Sequence, residues 1–156
     1  MRQSIQGLID LTKVSAEDCQ TLRNVAGQTE QWADQFVKMF YDTLFDYHPT
    51  RVLFREGERP ARETTIRDWY LQVVRGEIGD DFWSAQWQVG RHHIDRNIPN
   101  SYMLAMMHRT QAFFVHKCAA TFGPEEALKI SDAFKKVTDV AAGIIVEGYL
   151  TTWRIR

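Results

Sequence analysis

The chain has 156 residues, of which 44% are hydrophobic and 25% are charged, values that are ordinary for one globular domain with a single core. Its net charge of −1 provides no overall attraction to nucleic acid or to an anionic membrane, and we expect neither as a partner. The aromatic content of 12% and the balanced charge exclude a disordered chain.

The sequence contains no sign of a secretory or membrane-spanning segment. No apolar run approaches the roughly 18 residues that a membrane span needs. Residues 1–10 lack the apolar stretch of a signal peptide. Cys19 and Cys118 lie far apart and form no CxxC pair. We therefore expect a cytoplasmic protein with two reduced thiols.

The first third of the chain has the apolar periodicity of helices. We predict a short helix over residues 4–11. The capping-box pattern of Ser15–Asp18 predicts a second helix, which runs to about Val25 and is ended by Gly27. Apolar residues recur about every 3.6 positions over residues 30–46, which predicts a third, longer helix.

The middle of the chain is predicted to contain turns and one further helix. His48-Pro49 ends the third helix, and a turn and a polar loop follow over residues 52–59. Pro60 suits the first turn of a fourth helix, which we place up to about Arg75. A turn containing two glycines then separates it from the next element.

The second half is predicted to be helical throughout. Asp80 or Asp81 caps a helix over residues 82–94, and a further helix covers residues 101–121. Pro124, followed by two acids, opens the last helix, which continues to near the C-terminus. Because no strand-like alternation appears, we predict an all-α chain of roughly seven or eight helices, the last two of roughly 20 and 30 residues being the longest.

The common catalytic motifs are missing from the sequence. It has no GxGxxG, no GxxxxGK[ST], no GxSxG and no HExxH. Dinucleotide, phosphate-loop, serine-hydrolase and zinc-protease chemistry therefore have no support from motifs.

Two adjacent histidines occupy the predicted helix over residues 82–94. At about 100° per residue, Val89 and His93 fall within roughly 20° of the line through Phe82, whereas His92 points about 80° away. His93 therefore shares the apolar face. An imidazole on such a face is either a core histidine bonded to the backbone or a metal or haem ligand, and the residues alone leave both interpretations open.

A tyrosine lies at the margin of the apolar face of the third helix. Phe36, Phe40 and Leu44 form that face, and Tyr41 lies beside it. A buried tyrosine needs a partner for its hydroxyl. Tyr41 is therefore either an ordinary core tyrosine or a hydrogen-bond donor to a ligand in a pocket.

Two segments together resemble the globin-coupled sensor family. Residues 89–102 match its proximal region in the spacing from a small residue to a histidine, then to a hydrophobic-proline pair and an aromatic. The matching residues are Gly90, His93, Ile98, Pro99 and Tyr102. Residues 36–44 (FVKMFYDTL) resemble the distal FYxxL helix of the family. The resemblance covers nearly the whole chain.

The resemblance implies a single globin sensor domain over residues 1–156, with a 3-on-3 helical sandwich, an extra N-terminal helix and a reduced D helix. It implies a haem b whose iron is bound by His93 and whose attachment is non-covalent, since no CxxCH is present. Tyr41 is then the donor to bound O2, with CO and NO as further ligands, and Thr65 is a second ligand-binding residue.

The resemblance also implies the walls of the haem pocket. We assign to them Leu53, Phe54, Arg62, Ile66, Val89, Tyr102 and Met106. Arg62 departs from the pattern, because the family often has an apolar residue there. For Met103, Met106 and Met107, plain helical packing in a core or interface is the alternative to a place in the pocket.

In the resembling family the last two helices of two subunits form a dimer interface, so we expect a homodimer through them. Their apolar residues are Phe113, Phe114, Cys118, Phe134, Val137, Val140, Ala141, Ile144, Ile145 and Tyr149. Gly143 and Gly148 are expected to permit close helix approach. Residues 153–156 have no helix stop signal, and we interpret this as a sensor domain ahead of an output module such as a diguanylate cyclase, a histidine kinase or a chemotaxis transducer.

Two alternatives remain open at this point. One is a globin-shaped interaction module without haem, like those of bacterial stressosome proteins, although His93 is present at the ligand position. The other is an enzyme or carrier, a free-standing globin that carries O2 or oxidises nitric oxide. We expect the non-enzymatic sensor domain.

Overall fold

The computed structural model describes the backbone of residues 3–155 and the side chains of residues 3–151, and every regular element in this part of the chain is a helix. The α-helices are α1 (Gln3–Thr12), α2 (Ala16–Asn24), α3 (Ala26–Thr29), α4 (Ala33–Asp46), α5 (His48–Arg51), α6 (Arg59–Val74), α7 (Asp80–Asp95), α8 (Asn100–Thr121) and α9 (Pro124–Ile155). A 3₁₀ turn, Glu30–Trp32, precedes α4.

The helices form two layers, as the resemblance implies. Helix α8 packs against both α4 and α9, and these three form one layer. Helices α2, α6 and α7 form the other, with contacts from α2 and α7 to α9 and from α6 to α4. Helix α1 adds to the outside of α9, and the one-turn α5 is all that joins α4 to the loop before α6. The predicted all-α sandwich with an extra N-terminal helix is therefore confirmed.

The helix boundaries follow local chemistry, with two corrections. The backbone N–H of Ser15 donates to the Asp18 carboxylate at 2.9 Å, as a capping box requires. Gly27, however, does not end α2, because it lies inside the one-turn α3. Asp80 and Asp81 do not cap α7 either: Gly79 is the cap, and both acids lie in the first turn, where the helix dipole favours negative charge.

The apolar stripe of α8 and α9 forms the core of the chain itself, which corrects the predicted interface. Nine of the ten residues assigned to the dimer are buried, with Phe114, Val137 and Ile144 at 0% exposure. The ring of Phe114 stacks on that of Phe134, with centroids 3.8 Å apart. Packing against the chain's own helices and packing against a partner both require an apolar stripe of this kind. Periodicity alone therefore could not distinguish a core from a dimer interface.

Glycines on α9 allow close contacts within the chain rather than between subunits. A Cβ at Gly148 would lie 2.4 Å from the Trp87 carbonyl oxygen on α7, and one at Gly90 would lie 2.2 Å from that of Ile145. A Cβ at Gly143 would meet the Leu8 side chain of α1 at 2.3 Å. The backbones of α7 and α9 therefore touch where Gly90 faces Gly148.

The predicted role of residues 153–156 falls on side chains outside the described residues. The backbone of α9 continues to Ile155. Within the part of the chain that is described, no helix combines the length and the apolar character that crossing a bilayer requires.

Candidate functional site

A cavity of about 400 Å³ lies between α4, α6, α7 and α8. This volume lies within the range typical of sites that hold small molecules or cofactors. All ten residues that the sequence analysis assigned to a site line it: Tyr41, Leu53, Phe54, Arg62, Thr65, Ile66, Val89, His93, Tyr102 and Met106. Residues from four separate helices and one loop thus meet around a single space.

His93 is a half-buried imidazole on the α7 wall of the cavity. Its Nδ1 is fully buried and has no hydrogen-bond partner in the described structure. Burial, reinforced by His92 and Arg96, lowers the pKa of His93 to about 4, so the ring is neutral at pH 7. His92 also lines the cavity, but its side chain is exposed. The geometric ranking of the two histidines therefore agrees with their burial.

Contacts with α9 and hydrogen bonds at the end of α7 hold His93 in position. The ring of Tyr149 packs edge-on against the imidazole, with centroids 6.0 Å apart. The Tyr149 hydroxyl donates to the Ile98 carbonyl at 2.9 Å, and the Ile98 N–H donates to the His93 carbonyl at 2.9 Å. Asn97 adopts a positive φ of 57°, which Asn tolerates better than most residues and which turns the chain back toward α8.

Tyr41 provides a phenol on the α4 wall. Its side chain is 6% exposed and packs against the rings of Phe40, Phe45 and Phe54, with centroids 5.2–6.5 Å away. Burial raises the pKa of Tyr41 to about 12, so the hydroxyl keeps its proton at neutral pH. In the described structure this hydroxyl donates to no protein group, which leaves its proton available to a molecule in the cavity.

Helix α6 contributes one face to the cavity. Arg62, Thr65, Ile66 and Trp69 all line it, and their spacing of three, four and seven residues is that of one helix face. Thr65 lies at the exposed side, and its hydroxyl donates to the Ala61 carbonyl at 3.2 Å. Because that bond occupies its only proton, Thr65 is a weaker donor to a ligand than Tyr41.

The residues 1–153 match the family model of the protoglobins. The chain belongs to the protoglobin family. Among solved structures, the globin domain of a Geobacter sulfurreducens globin-coupled sensor is similar, with a TM-score of 0.84 and 20% identity over 92% of this chain and 96% of that one. This likeness confirms the predicted globin fold. A search of curated proteins finds no significant match.

Two polar residues of this protoglobin's cavity were missed by sequence reasoning. Trp69 donates from Nε1 to Gln86 Oε1 at 3.0 Å, and Gln86 donates from Nε2 to the Phe82 carbonyl at 3.1 Å. Gln86 is only 2% exposed, and this arrangement ties α6 to α7 at the cavity wall. Gln86 lies seven residues before His93, so the helical geometry that selected His93 also places Gln86 on the same face.

Arg96 was missed as well; it caps the C-terminus of α7, three positions after His93. It lines the cavity and forms an ion pair with Glu58. It also donates to the Leu53 carbonyl at 3.2 Å. The charge of Arg96 is therefore already balanced by protein groups.

The three methionines of α8 belong to the cavity. Met103, Met106 and Met107 all line it, and the first two are also buried in the core. These methionines therefore take part both in helical packing and in the cavity wall. Their flexible, polarisable side chains can adapt the shape of this wall to an occupant of the cavity.

Proposed function

We propose that the chain is a cytoplasmic haem-binding domain that senses O2, with His93 as the iron ligand. The observation that carries this proposal is the shared cavity, which has the neutral imidazole of His93 on α7 and the free phenol of Tyr41 on α4. A neutral imidazole nitrogen is the form that binds haem iron, and a protonated phenol is a hydrogen-bond donor.

The residues of the cavity fit a non-covalently held haem b. The side chains of Leu53, Ile66, Val89 and Met106 offer an apolar surface to a flat macrocycle, and a buried imidazole nitrogen is left without a protein partner. When bound, the haem supplies an iron centre that takes up O2, CO or NO reversibly. His93 would hold that centre, and Tyr149 would fix the orientation of the imidazole.

The residues on the α4 side would set the preference among gases. Tyr41 would donate a hydrogen bond to a ligand that carries partial negative charge, which favours O2 over the less polar CO. Thr65 could add to this only by giving up its bond to Ala61. Discrimination would therefore rest mainly on Tyr41.

Sensing further requires that ligand binding change the state of an output module, which we propose follows this non-catalytic domain. We also propose that two copies associate through α8 and α9. Since the core stripe is unavailable, contact would use the large apolar side chains that are exposed on the described parts of these helices, which are Leu104, Val115, Leu128 and Leu150.

An absorption spectrum of the purified chain supplied with haem tests the proposal. We expect a strong band at about 400 nm, whose position responds to reduction, O2 and CO. His93→Ala should abolish tight haem binding, because the cavity loses its iron ligand. His92→Ala should leave it intact, since that side chain is exposed, and it is the matched control.

Each alternative function predicts a different outcome. If the wild-type chain takes up no haem, it is an interaction module and the haem proposal is wrong. If His92→Ala loses haem while His93→Ala retains it, the assignment of the ligand is wrong. Rapid multiple turnover of NO by the oxygenated protein with a reductase, followed by stopped flow, would indicate an enzyme instead of a sensor.

A further inference from the structure

Arg62 brings into the cavity a positive charge that forms no ion pair with a protein carboxylate in the described structure. Its side chain is half-buried and lines the cavity, and its Nε is fully buried without a hydrogen-bond partner. None of the ion pairs in the described structure includes it. A guanidinium stays protonated in proteins, so burial cannot be relieved by losing the charge. Such a group needs an acceptor.

The two acids nearest to Arg62 in sequence form ion pairs with other arginines, although the charge of Arg62 also helps to lower the pKa of Glu58. Glu58 forms an ion pair with Arg96 and accepts from the Arg55 backbone N–H at 3.3 Å. Glu63 pairs with Arg59 at 3.4 Å. The residues that line the cavity include no carboxylate at all. An acceptor on a molecule that enters the cavity would therefore supply the hydrogen bond that the buried Nε of Arg62 lacks.

Arg62 lies on the same side of the cavity as Tyr41. Among the charged groups that act on the Tyr41 phenol, the guanidinium of Arg62 has the largest effect and lowers its pKa against the opposing effect of burial. The charged groups that lower the pKa of His93 are His92 and Arg96, and Arg62 is not among them. The side chains of Tyr41 and Arg62 line the cavity from α4 and α6, which pack against each other, whereas His93 lines it from α7.

We propose that Arg62 and Tyr41 together form a binding site for a small inorganic anion, on the side of the cavity away from His93. This inference rests on the proposed haem function, because the anion would share the cavity with the haem that His93 would hold. A guanidinium and a neutral hydroxyl both donate to an anion, and charge-assisted bonds of this kind are stronger than neutral ones. A neutral ligand such as CO would gain much less.

Azide and fluoride titrations of the ferric haem protein at pH 7, with CO titration of the ferrous form, test the proposal. We expect Arg62→Leu to weaken azide and fluoride binding about 10- to 100-fold, as the loss of one charge-assisted hydrogen bond implies. CO affinity should change by less than about threefold. Arg62→Lys keeps the charge but loses the planar set of guanidinium donors. Its azide and fluoride affinities should therefore lie between those of the wild type and those of Arg62→Leu.

Arg67→Leu provides the matched control, since Arg67 lies on the same helix but is paired with Asp34 at the surface. It should leave all three affinities unchanged. Equal losses for azide and CO in Arg62→Leu would overturn the anion site, because they would show a change of pocket shape. Weaker haem binding with unchanged azide affinity would also overturn it, since the guanidinium would then serve a haem carboxylate. A wild-type chain without haem would overturn the proposed function and this inference together.

Discussion

At the scale of single residues, we propose that the Tyr41 hydroxyl is the group that favours O2 over CO. Its proton has no partner among the described protein groups, and the side chain is held by three aromatic rings. Tyr41→Phe removes the donor and preserves the ring packing. We expect the O2 dissociation rate constant to rise about tenfold, the effect of losing a bond of about 1.4 kcal/mol, measured by stopped flow.

The CO dissociation rate in the same variant is the internal control. It should change by less than about threefold, because bound CO gains little from a donor. Similar changes for both gases would contradict the donor role and point to altered packing around Phe45 and Phe54.

Residue-level prediction was informative where a single helix determines which side chains face the cavity. The angular position on α7 was enough to prefer His93 over His92, and it could also have indicated Gln86, which lies within roughly 20° of His93 on the same helix. Tyr149 could not be found in this way. Its contact with His93 joins α9 to α7, and no local pattern encodes which residue of one helix meets which residue of another.

At the scale of elements, the contact of α7 with α9 depends on Gly90. A Cβ there would lie 2.2 Å from the Ile145 carbonyl oxygen, and backbone on both sides cannot yield as a flexible side chain does. Gly90→Ala should therefore destabilise the fold by about 1–3 kcal/mol, the usual range for overpacking. The shift of the urea midpoint at constant m-value measures it.

Gly27→Ala is the matched control for this prediction. Gly27 is also helical, but a Cβ there would meet nothing within 4 Å. Its replacement should be neutral or stabilise by up to about 1 kcal/mol, because alanine loses less backbone entropy on folding. Equal destabilisation by both variants would mean that the close approach of α7 and α9 is not the reason why position 90 requires glycine.

Element boundaries show why part of the fold was predictable. Proline near the start of α6 and α9, and the capping box of α2, act locally, so those helices were placed correctly. Gly27 was misread because glycine disfavours a helix by only about 1 kcal/mol, which tertiary packing outweighs. The stripe of α8 and α9 was assigned to a partner because burial within one chain and burial between two chains need the same pattern.

At the scale of the whole molecule, α9 connects the site to the surface that we propose for dimerisation. It packs against α7 and α8, and through Tyr149 it contacts His93. A movement of His93 on ligand binding would therefore reach α9 through packed side chains, without an intervening loop. These packed contacts are a physical route for coupling between the cavity and the proposed dimer surface. The strength of that coupling is measured by comparing dimer stability with and without ligand.

Dimerisation itself is testable on four exposed apolar side chains. Leu128 is 72% exposed, and Leu104, Val115 and Leu150 are 40–45% exposed, all on α8 or α9. We expect a concentration-dependent dimer in analytical ultracentrifugation. Single replacement by glutamate should raise the dissociation constant at least about tenfold for at least one residue on each helix, because a desolvated, unpaired carboxylate then enters the interface.

Leu11→Glu is the control for surface hydrophobicity as such. Leu11 is 85% exposed and lies on α1, away from the two helices, so its replacement should leave the dissociation constant unchanged. A strictly monomeric wild-type chain, or a dimer that none of the four replacements weakens, would contradict an interface through α8 and α9. Because the core stripe is already buried, no other large apolar side chain on these two helices is exposed, within the described part of the chain, to take the place of these four.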